Sequence, residues 1–294
     1  MKYYLMTVLA VMLLAGDFAV NKLYQKKYGT DIEAGLKFNA LLGLFTAAIF
    51  FAVNGFKSSF SEYSMLMTSI VSLSIMIYNI LGFRVLKSCS MAFYTLFLMC
   101  GGMTMPYIWG ILFLNEKLSL LHISGLVLII ISIIITANDR KIPSRNILIL
   151  CVTIFILNGI SSIAGKMHQI EKTYECVSET EFVAATGIAK LIIAAFAYTV
   201  LKIKNKNEQC KDEKSGGFAF GALLIALSAL LSGLSYIMQL NGAKNLPATV
   251  LYPMITGGTI IFSSFAGIIF FGEKISKRLV LSIAICFAGT CMFL

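Results

Sequence analysis

Two ionisable side chains stand deep inside long apolar runs of this chain, Asp17 in the run 3–23 and Lys190 in the run 178–201. An ion surrounded by hydrocarbon is costly to keep, so a charge retained there is a functional candidate by default. Asp17, with Asn21 one turn further along the same helix face, has the chemistry to bind a cationic group or to carry a coupling proton. Lys190, roughly 16 Å of helix from the end of its run at Leu201, has the chemistry to hold a carboxylate or a phosphate. The structural alternatives are that the two pair with each other, or that Lys190 stretches toward an interface. Uncharged polar groups inside the runs raise the same question, because lipid offers them no water. Asn79, Asn158 and Gln239, with Tyr78, Tyr94, Tyr236 and Tyr252, either line a cavity or hydrogen-bond between helices. Rings and amides together would suit amines, through cation–π contact, and also amino acids. Asn79 and Tyr236 lie 157 positions apart, an offset that recurs below.

The parts needed for covalent or metal chemistry are missing by type and spacing. The chain has two histidines, His122 and His168, and no His-Glu-x-x-His, acidic Asp-Asp-x-x-Asp cluster or Gly-x-Ser-x-Gly elbow. No catalytic residue, cofactor or metal is therefore expected, and His122, at the start of an apolar run, is read as interfacial. Without a Gly-x-x-x-x-Gly-Lys-[Ser/Thr] loop, ATP-driven transport by this chain is excluded. The seven cysteines contain no Cys-x-x-Cys pair, and Cys89, Cys100, Cys151, Cys286 and Cys291 fall in or beside apolar runs, where they act as small hydrophobes.

The elements that must carry these residues follow from composition. Of 294 residues, 58% are hydrophobic and 13% charged, against about 45–50% and about 25% in soluble domains, and the mean hydropathy is +0.86. Crossing about 30 Å of hydrocarbon takes about 20 mostly apolar residues in a helix. Ten runs qualify: 3–23, 33–53, 65–85, 90–114, 120–137, 147–167, 178–201, 218–240, 247–271 and 277–294. They leave short connections, apart from the lysine-rich 202–217, and no room for an extramembrane domain. Met1-Lys2 before an apolar stretch, with Ala15-Gly16 following, resembles a signal peptide, but a single lysine is a weak charged region and the run is read as a membrane helix.

Internal repetition organises the ten runs. An offset of 157 places Lys87 on Lys244, Gly101 on Gly258, Gly110 on Gly267, Phe113 on Phe270, and Glu116, Lys117 and Ser119 on Glu273, Lys274 and Ser276. An offset of 144 places Lys22-x-x-Gln25 on Lys166-x-x-Gln169, and one of 153 would place Lys37 on Lys190. The chain divides into 1–146 and 147–294, five runs each. An odd number per copy makes the second enter the membrane in the opposite sense, the inverted-repeat arrangement common among secondary transporters. Of the 24 Lys and Arg, seventeen lie in connections after odd-numbered runs, six at the N-terminus or after even-numbered ones, and Lys190 inside a run. The positive-inside rule then places both termini outside the cytoplasm, and this surplus of positive charge needs no nucleic acid to explain it.

Lesser features have structural readings. Gly101-Gly102 and Gly257-Gly258 allow close helix approach, and Pro106 and Pro253 kink their helices. Lys37 anchors at an interface. Lys22, Lys166, Gln25 and Gln169 sit at solvated helix ends or on lipid phosphates, Glu33 and Glu181 favour helix N-termini, and Trp109 is an anchor or packing residue.

The segments Leu114-Asn115-Glu116-Lys117-Leu118-Ser119 and Phe271-Gly272-Glu273-Lys274-Ile275-Ser276 each close one apolar run and open another. With the span number and the duplication, they make the whole chain resemble the drug/metabolite transporter superfamily in its ten-helix EamA-like branch, the second copy more closely because Asn115 replaces glycine in the first. The resemblance implies a carrier of small organic metabolites, such as amino acids, amines, sugars or nucleotide sugars, with one central cavity. It also implies cytoplasmic termini, opposite to the charge count. Read as residues alone, the segments are tight turns, with Ser119 and Ser276 as N-caps and the glutamates beside lysines at the membrane edge.

The expectation is an all-α, ten-helix, multi-pass protein of the cytoplasmic membrane, built as two inverted five-helix repeats. It carries a small polar metabolite by alternating access, as a monomer or homodimer among membrane lipids, with a proton or ion as a candidate coupling partner. Asp17, Asn79, Tyr94, Asn158, Lys190, Tyr236, Gln239 and Tyr252 are the site candidates. The alternatives are a membrane enzyme acting on lipid-linked intermediates and a non-transporting sensor.

Overall fold

Ten α-helices follow one another with no strand among the described residues: α1 (Lys2–Tyr28), α2 (Ile32–Val53), α3 (Glu62–Ser88), α4 (Met91–Phe113), α5 (Leu120–Ala137), α6 (Arg145–Ile170), α7 (Glu179–Lys204), α8 (Phe218–Asn245), α9 (Ala248–Phe271) and α10 (Lys277–Cys291). The computed structural model describes all residues except 30, 58, 60, 89–90, 118, 138–143, 205–217, 273–276 and 294, and within helices it leaves the side chains of 83, 86–88, 91–96, 133, 136–137, 204, 218 and 279 undescribed. Number and order match the ten apolar runs. Among the described residues seven helices are long and apolar enough to cross a membrane, and the described parts of α4, α5 and α10 are shorter apolar helices.

Helix ends depart from the apolar runs where side chains find partners. α1 continues to Tyr28 because Tyr24 and Tyr28 stack at 4.7 Å and Tyr24 meets Phe38 of α2 at 4.8 Å. α10 stops at Cys291 because the chain turns back, Phe293 N donating to Thr290 O at 3.1 Å, and tucks the Phe293 ring into the core. That ring stacks on His122 at 5.3 Å. His122 is thus a packing residue, with a buried Nδ1 that has no partner among the described residues. Trp109 likewise packs, stacked on Phe113 at 4.1 Å. Pro106 and Pro253 lie inside α4 and α9.

Large apolar side chains cover much of the exterior, and polar groups are buried beside the apolar core. Leu5, Met12, Leu112, Ile192, Phe196 and Phe270 are exposed, whereas Thr7, Asp17, Asn39, Ser72, Ser228 and Ser235 are buried. An apolar exterior around a hydroxyl-rich interior is the distribution a lipid solvent selects.

The main packed pairs are α2 with α7, α1 with α8, α3 with α6, α4 with α6, α1 with α9, α4 with α9, and α5 with α10. Exchanging each of α1–α5 with the helix five places on maps this set onto itself. The correspondence reaches single residues. Gly43 and Gly187, 144 positions apart, face each other so closely that a Cβ on Gly43 would stand 2.6 Å from the Gly187 carbonyl oxygen. Gly101 lies on the backbone of Phe155, while Gly258, 157 positions on, lies on Val11, 144 positions before Phe155. At the α5–α10 crossing, Gly125 lies against Gly289, and Ser282 and Ser132, which stand 157 positions after Gly125 and 157 before Gly289, meet Oγ to Oγ at 2.9 Å. Of the glycine pairs singled out by sequence, Gly101 and Gly258 thus serve close helix approach, and Gly257 makes room for the Thr290 hydroxyl.

Candidate binding cavity

Eight helices, α1–α4 and α6–α9, line an open cavity of about 380 Å³, and among the described residues α5 and α10 contribute nothing to it. Asp17, Asn79, Asn158, Lys190, Tyr236, Gln239 and Tyr252 all lie on its wall. The side chain of Tyr94 lies outside the described residues. Lining positions pair up by the same offsets: Asn79 with Tyr236 and Gly82 with Gln239 at 157, Asp17 with Ser161 and Thr46 with Lys190 at 144. Equivalent positions of the two half-sequences thus contribute to the wall with different chemistry, Asp17 and Lys190 each corresponding to a neutral hydroxyl. This register also settles the alternative offset of 153. Lys37 is not on the cavity wall but pairs with Glu33 at 3.4 Å on the exposed surface.

Asn79, Asn158 and Tyr252 line the cavity and bridge helices at once, whereas Gln239 lines it and bonds within its own helix. Asn79 Nδ2 donates to Asn39 Oδ1 at 3.1 Å, Asn158 Nδ2 to the Leu98 carbonyl at 2.6 Å, Gln239 Nε2 to Ser235 Oγ at 2.9 Å, and the Tyr252 hydroxyl to the Ser162 carbonyl at 2.6 Å. Tyr236 differs. Its hydroxyl is buried near Gly165 without a hydrogen-bond partner among the described residues. Asp17, Tyr78, Tyr236 and Tyr252 are near enough in series to act on one another electrostatically.

The two charges are held differently. Asp17 is buried, and both of its oxygens are engaged, Oδ1 by the Ser228 hydroxyl at 2.5 Å and Oδ2 by Asn21 Nδ2 at 3.1 Å. Lys190 is half-buried on the cavity wall, and among the described residues no hydrogen bond or ion pair holds its ammonium. Asp17 acts on it through space, without ion-pair contact. Direct pairing of the two, one of the structural alternatives, is thus absent among the described residues.

Two expectations are corrected. Lys166, read from sequence as solvated or on a lipid phosphate, is buried, and its Nζ donates to the carbonyls of Ala243 and Leu246 at 2.6 Å each. It satisfies the carbonyl end of α8, where a cation is favoured by the helix dipole. Gln169, expected at a solvated end, is buried too, its Nε2 2.9 Å from His168 Nδ1, while His168 Nε2 is 2.9 Å from Ser64 Oγ. Lys22, the 144-related counterpart of Lys166, lines the cavity with its ammonium 4.4 Å from the Phe271 ring centre.

The turn motif also does more than turn. Glu116 accepts the amides of Ala248 at 2.7 Å and Thr249 at 2.8 Å, capping α9 from the other half of the chain, and its field acts on Lys166. Asn115 has φ 53°, a left-handed conformation that asparagine tolerates in place of glycine. Lys117 is exposed, and Ser119 Oγ accepts the Leu121 amide at 3.2 Å, capping α5 as expected. Glu273, Lys274 and Ser276 lie outside the described residues. At the start of α7, Ser178 and Glu181 form a reciprocal cap, and Glu181 also holds Ser59.

Sequence reasoning missed Asn39, Thr46, Ser161 and Ser228. Single hydroxyls in helices carry little signal, because they satisfy themselves on the preceding turn, as Thr259 does on the Ile255 carbonyl at 2.6 Å. Extending the two offsets would have flagged Thr46 and Ser161 as the counterparts of Lys190 and Asp17.

No family model matches the chain, and no curated protein matches it. Among solved structures it is similar to one described only as a crystal structure of a protein, with a TM-score of 0.77 and 14% identity over 99% of this chain and 96% of that one. At this identity the likeness concerns the fold alone.

Proposed function

We propose that this chain is a secondary carrier of the cytoplasmic membrane, of the drug/metabolite transporter kind, moving a small polar organic metabolite such as an amino acid, an amine or a related compound. The observation that carries the proposal is the cavity, bounded by both halves of the chain, with Asp17, Lys190 and Lys22 on a wall of mixed polar and apolar side chains. The inverted-repeat reading is supported by packed residue pairs that exchange under the 144 and 157 offsets. Two halves of opposite sense can rock about a shared central site and expose it to each side in turn. Energy then comes from a substrate or ion gradient, with Asp17 as the candidate proton carrier.

Reconstituted protein tests this by counterflow of radiolabelled amino acids, amines, organic acids, sugars and nucleotide sugars. The expected result is saturable exchange that Asp17→Asn or Lys190→Ala lowers by about tenfold or more, a loss of roughly 1.4 kcal/mol in recognition. Full exchange in both variants removes the charges from the mechanism. Chemical conversion of the substrate, seen by mass spectrometry, would make the protein an enzyme, and binding without exchange would make it a sensor.

A further inference from the structure

We propose that the cavity recognises its substrate through a single carboxylate bound to Lys190. The inference rests on the carrier reading for its purpose but on independent geometry for its chemistry. A bare list of cavity residues is ambiguous, since Asp17 would favour a cation and Lys190 an anion. Hydrogen bonding removes the ambiguity. Each Asp17 oxygen already accepts a bond, from Ser228 and from Asn21, and Ser228 is within 3.2 Å of the Asn21 side-chain oxygen as well, closing a small network around the acid. Lys190 has three N–H donors and, among the described residues, no acceptor for any of them. An ammonium in an apolar interior is expected to be paired. The unmet hydrogen-bonding demand at the charged groups of this cavity is therefore for an acceptor at Lys190, which a carboxylate supplies with a matching charge.

The charge of the ligand follows from the neighbours. One ammonium balances one negative charge, and a second charge, as on a phosphate monoester, would face the field of Asp17, which already reaches Lys190. The position related to Lys190 in the other half is Thr46, also on the wall, so the halves do not supply a second lysine by symmetry. The remaining cation on the wall, Lys22, is placed over the Phe271 ring. Phe18, Phe38, Leu42 and Ile255 contribute apolar surface to the wall, suited to the organic body of a monocarboxylate. The second unsatisfied donor on the wall is the Tyr236 hydroxyl, which a bound oxygen acceptor would give a partner.

The test uses matched probes on the full-length protein in detergent: phenylpropionate, phenylalanine and phenethylamine, and isocaproate, leucine and isoamylamine. Within each set the carboxylate, the zwitterion and the amine share one apolar body. The expected result is saturable thermal stabilisation by the carboxylate-bearing members of at least one set and none by its amine. Lys190→Met is expected to weaken that binding by about tenfold or more, as loss of a charge-assisted hydrogen bond does, while Lys190→Arg retains it. The wild-type comparison of carboxylate with amine needs no variant, so it decides the matter even where Lys190→Met fails to fold. Stabilisation by amines alone, carboxylate binding unchanged in Lys190→Met, or no carboxylate binding at millimolar concentration each overturns the proposal. Lys190-dependent carboxylate binding without counterflow in proteoliposomes would keep this recognition and remove the carrier reading. Counterflow of the amines alone would do the opposite.

Discussion

Two interior lysines of the same type do different work, and their acceptors tell them apart. Lys166 donates to the carbonyls of Ala243 and Leu246 at the end of α8, whereas Lys190, among the described residues, faces the cavity without an acceptor. Replacing Lys166 by methionine leaves two buried carbonyls without their charged donor. Since hydrogen bonds to a charged group contribute about 1.5–3 kcal/mol each in net terms, the variant is expected to lose about 2–4 kcal/mol, read as a lower melting temperature in detergent. Lys190→Met removes no such bond and is expected to melt at or above the wild-type temperature in the absence of ligand; a marked fall would show a structural role. Asp17 and Lys190 were legible in the sequence because a charge inside an apolar run is itself the signal. Lys166 was not, because a lysine near a helix end is ordinarily solvated and only tertiary packing brings the end of α8 against it.

At the scale of elements, the half-chains are joined by caps and by bare backbone contact. Glu116 satisfies two otherwise orphaned amides of α9. Glu116→Ala is expected to cost about 1–2 kcal/mol, the range of a lost N-cap, while Ser119→Ala, which removes a local cap on α5, is expected to cost no more than about 1 kcal/mol. Denaturation followed by helical circular dichroism compares the two. The α2–α7 crossing is the tighter constraint, since a Cβ on either Gly43 or Gly187 would stand 2.6 Å from backbone atoms of the facing helix. Overpacking costs about 1–3 kcal/mol in general, and Gly43→Leu is expected to reach the upper end, seen as loss of a monodisperse peak on size exclusion. Glycine at such a spacing is visible in sequence as permission for close approach, but which helix approaches is a property of the fold.

For the whole molecule, the open question of orientation has a direct chemical reading. Cys176, exposed in the connection between α6 and α7, lies on the side that the distribution of Lys and Arg places outside the cytoplasm. A membrane-impermeant maleimide is expected to label intact cells expressing the wild-type chain and to label Cys176→Ser correspondingly less. Labelling of this residue only after permeabilisation would put the termini in the cytoplasm, as the transporter resemblance implies. Either result also fixes which end of the molecule carries Lys166, Gln169 and the Glu116 cap, and hence which side those contacts close.

By itself, the sequence determined the ten helices, their order and the identity of seven residues on the cavity wall. Those features depend on local composition, since apolar runs of sufficient length must form helices when every backbone amide needs an internal partner and misplaced polarity marks the interior. Tertiary structure decided which helices meet, that Glu116 and Lys166 belong to helix ends distant in the chain, and that Asp17 is satisfied while Lys190 is not. Those are matters of distance between elements, and the same residues, spaced identically along the chain, would be compatible with other partners until the helices are packed.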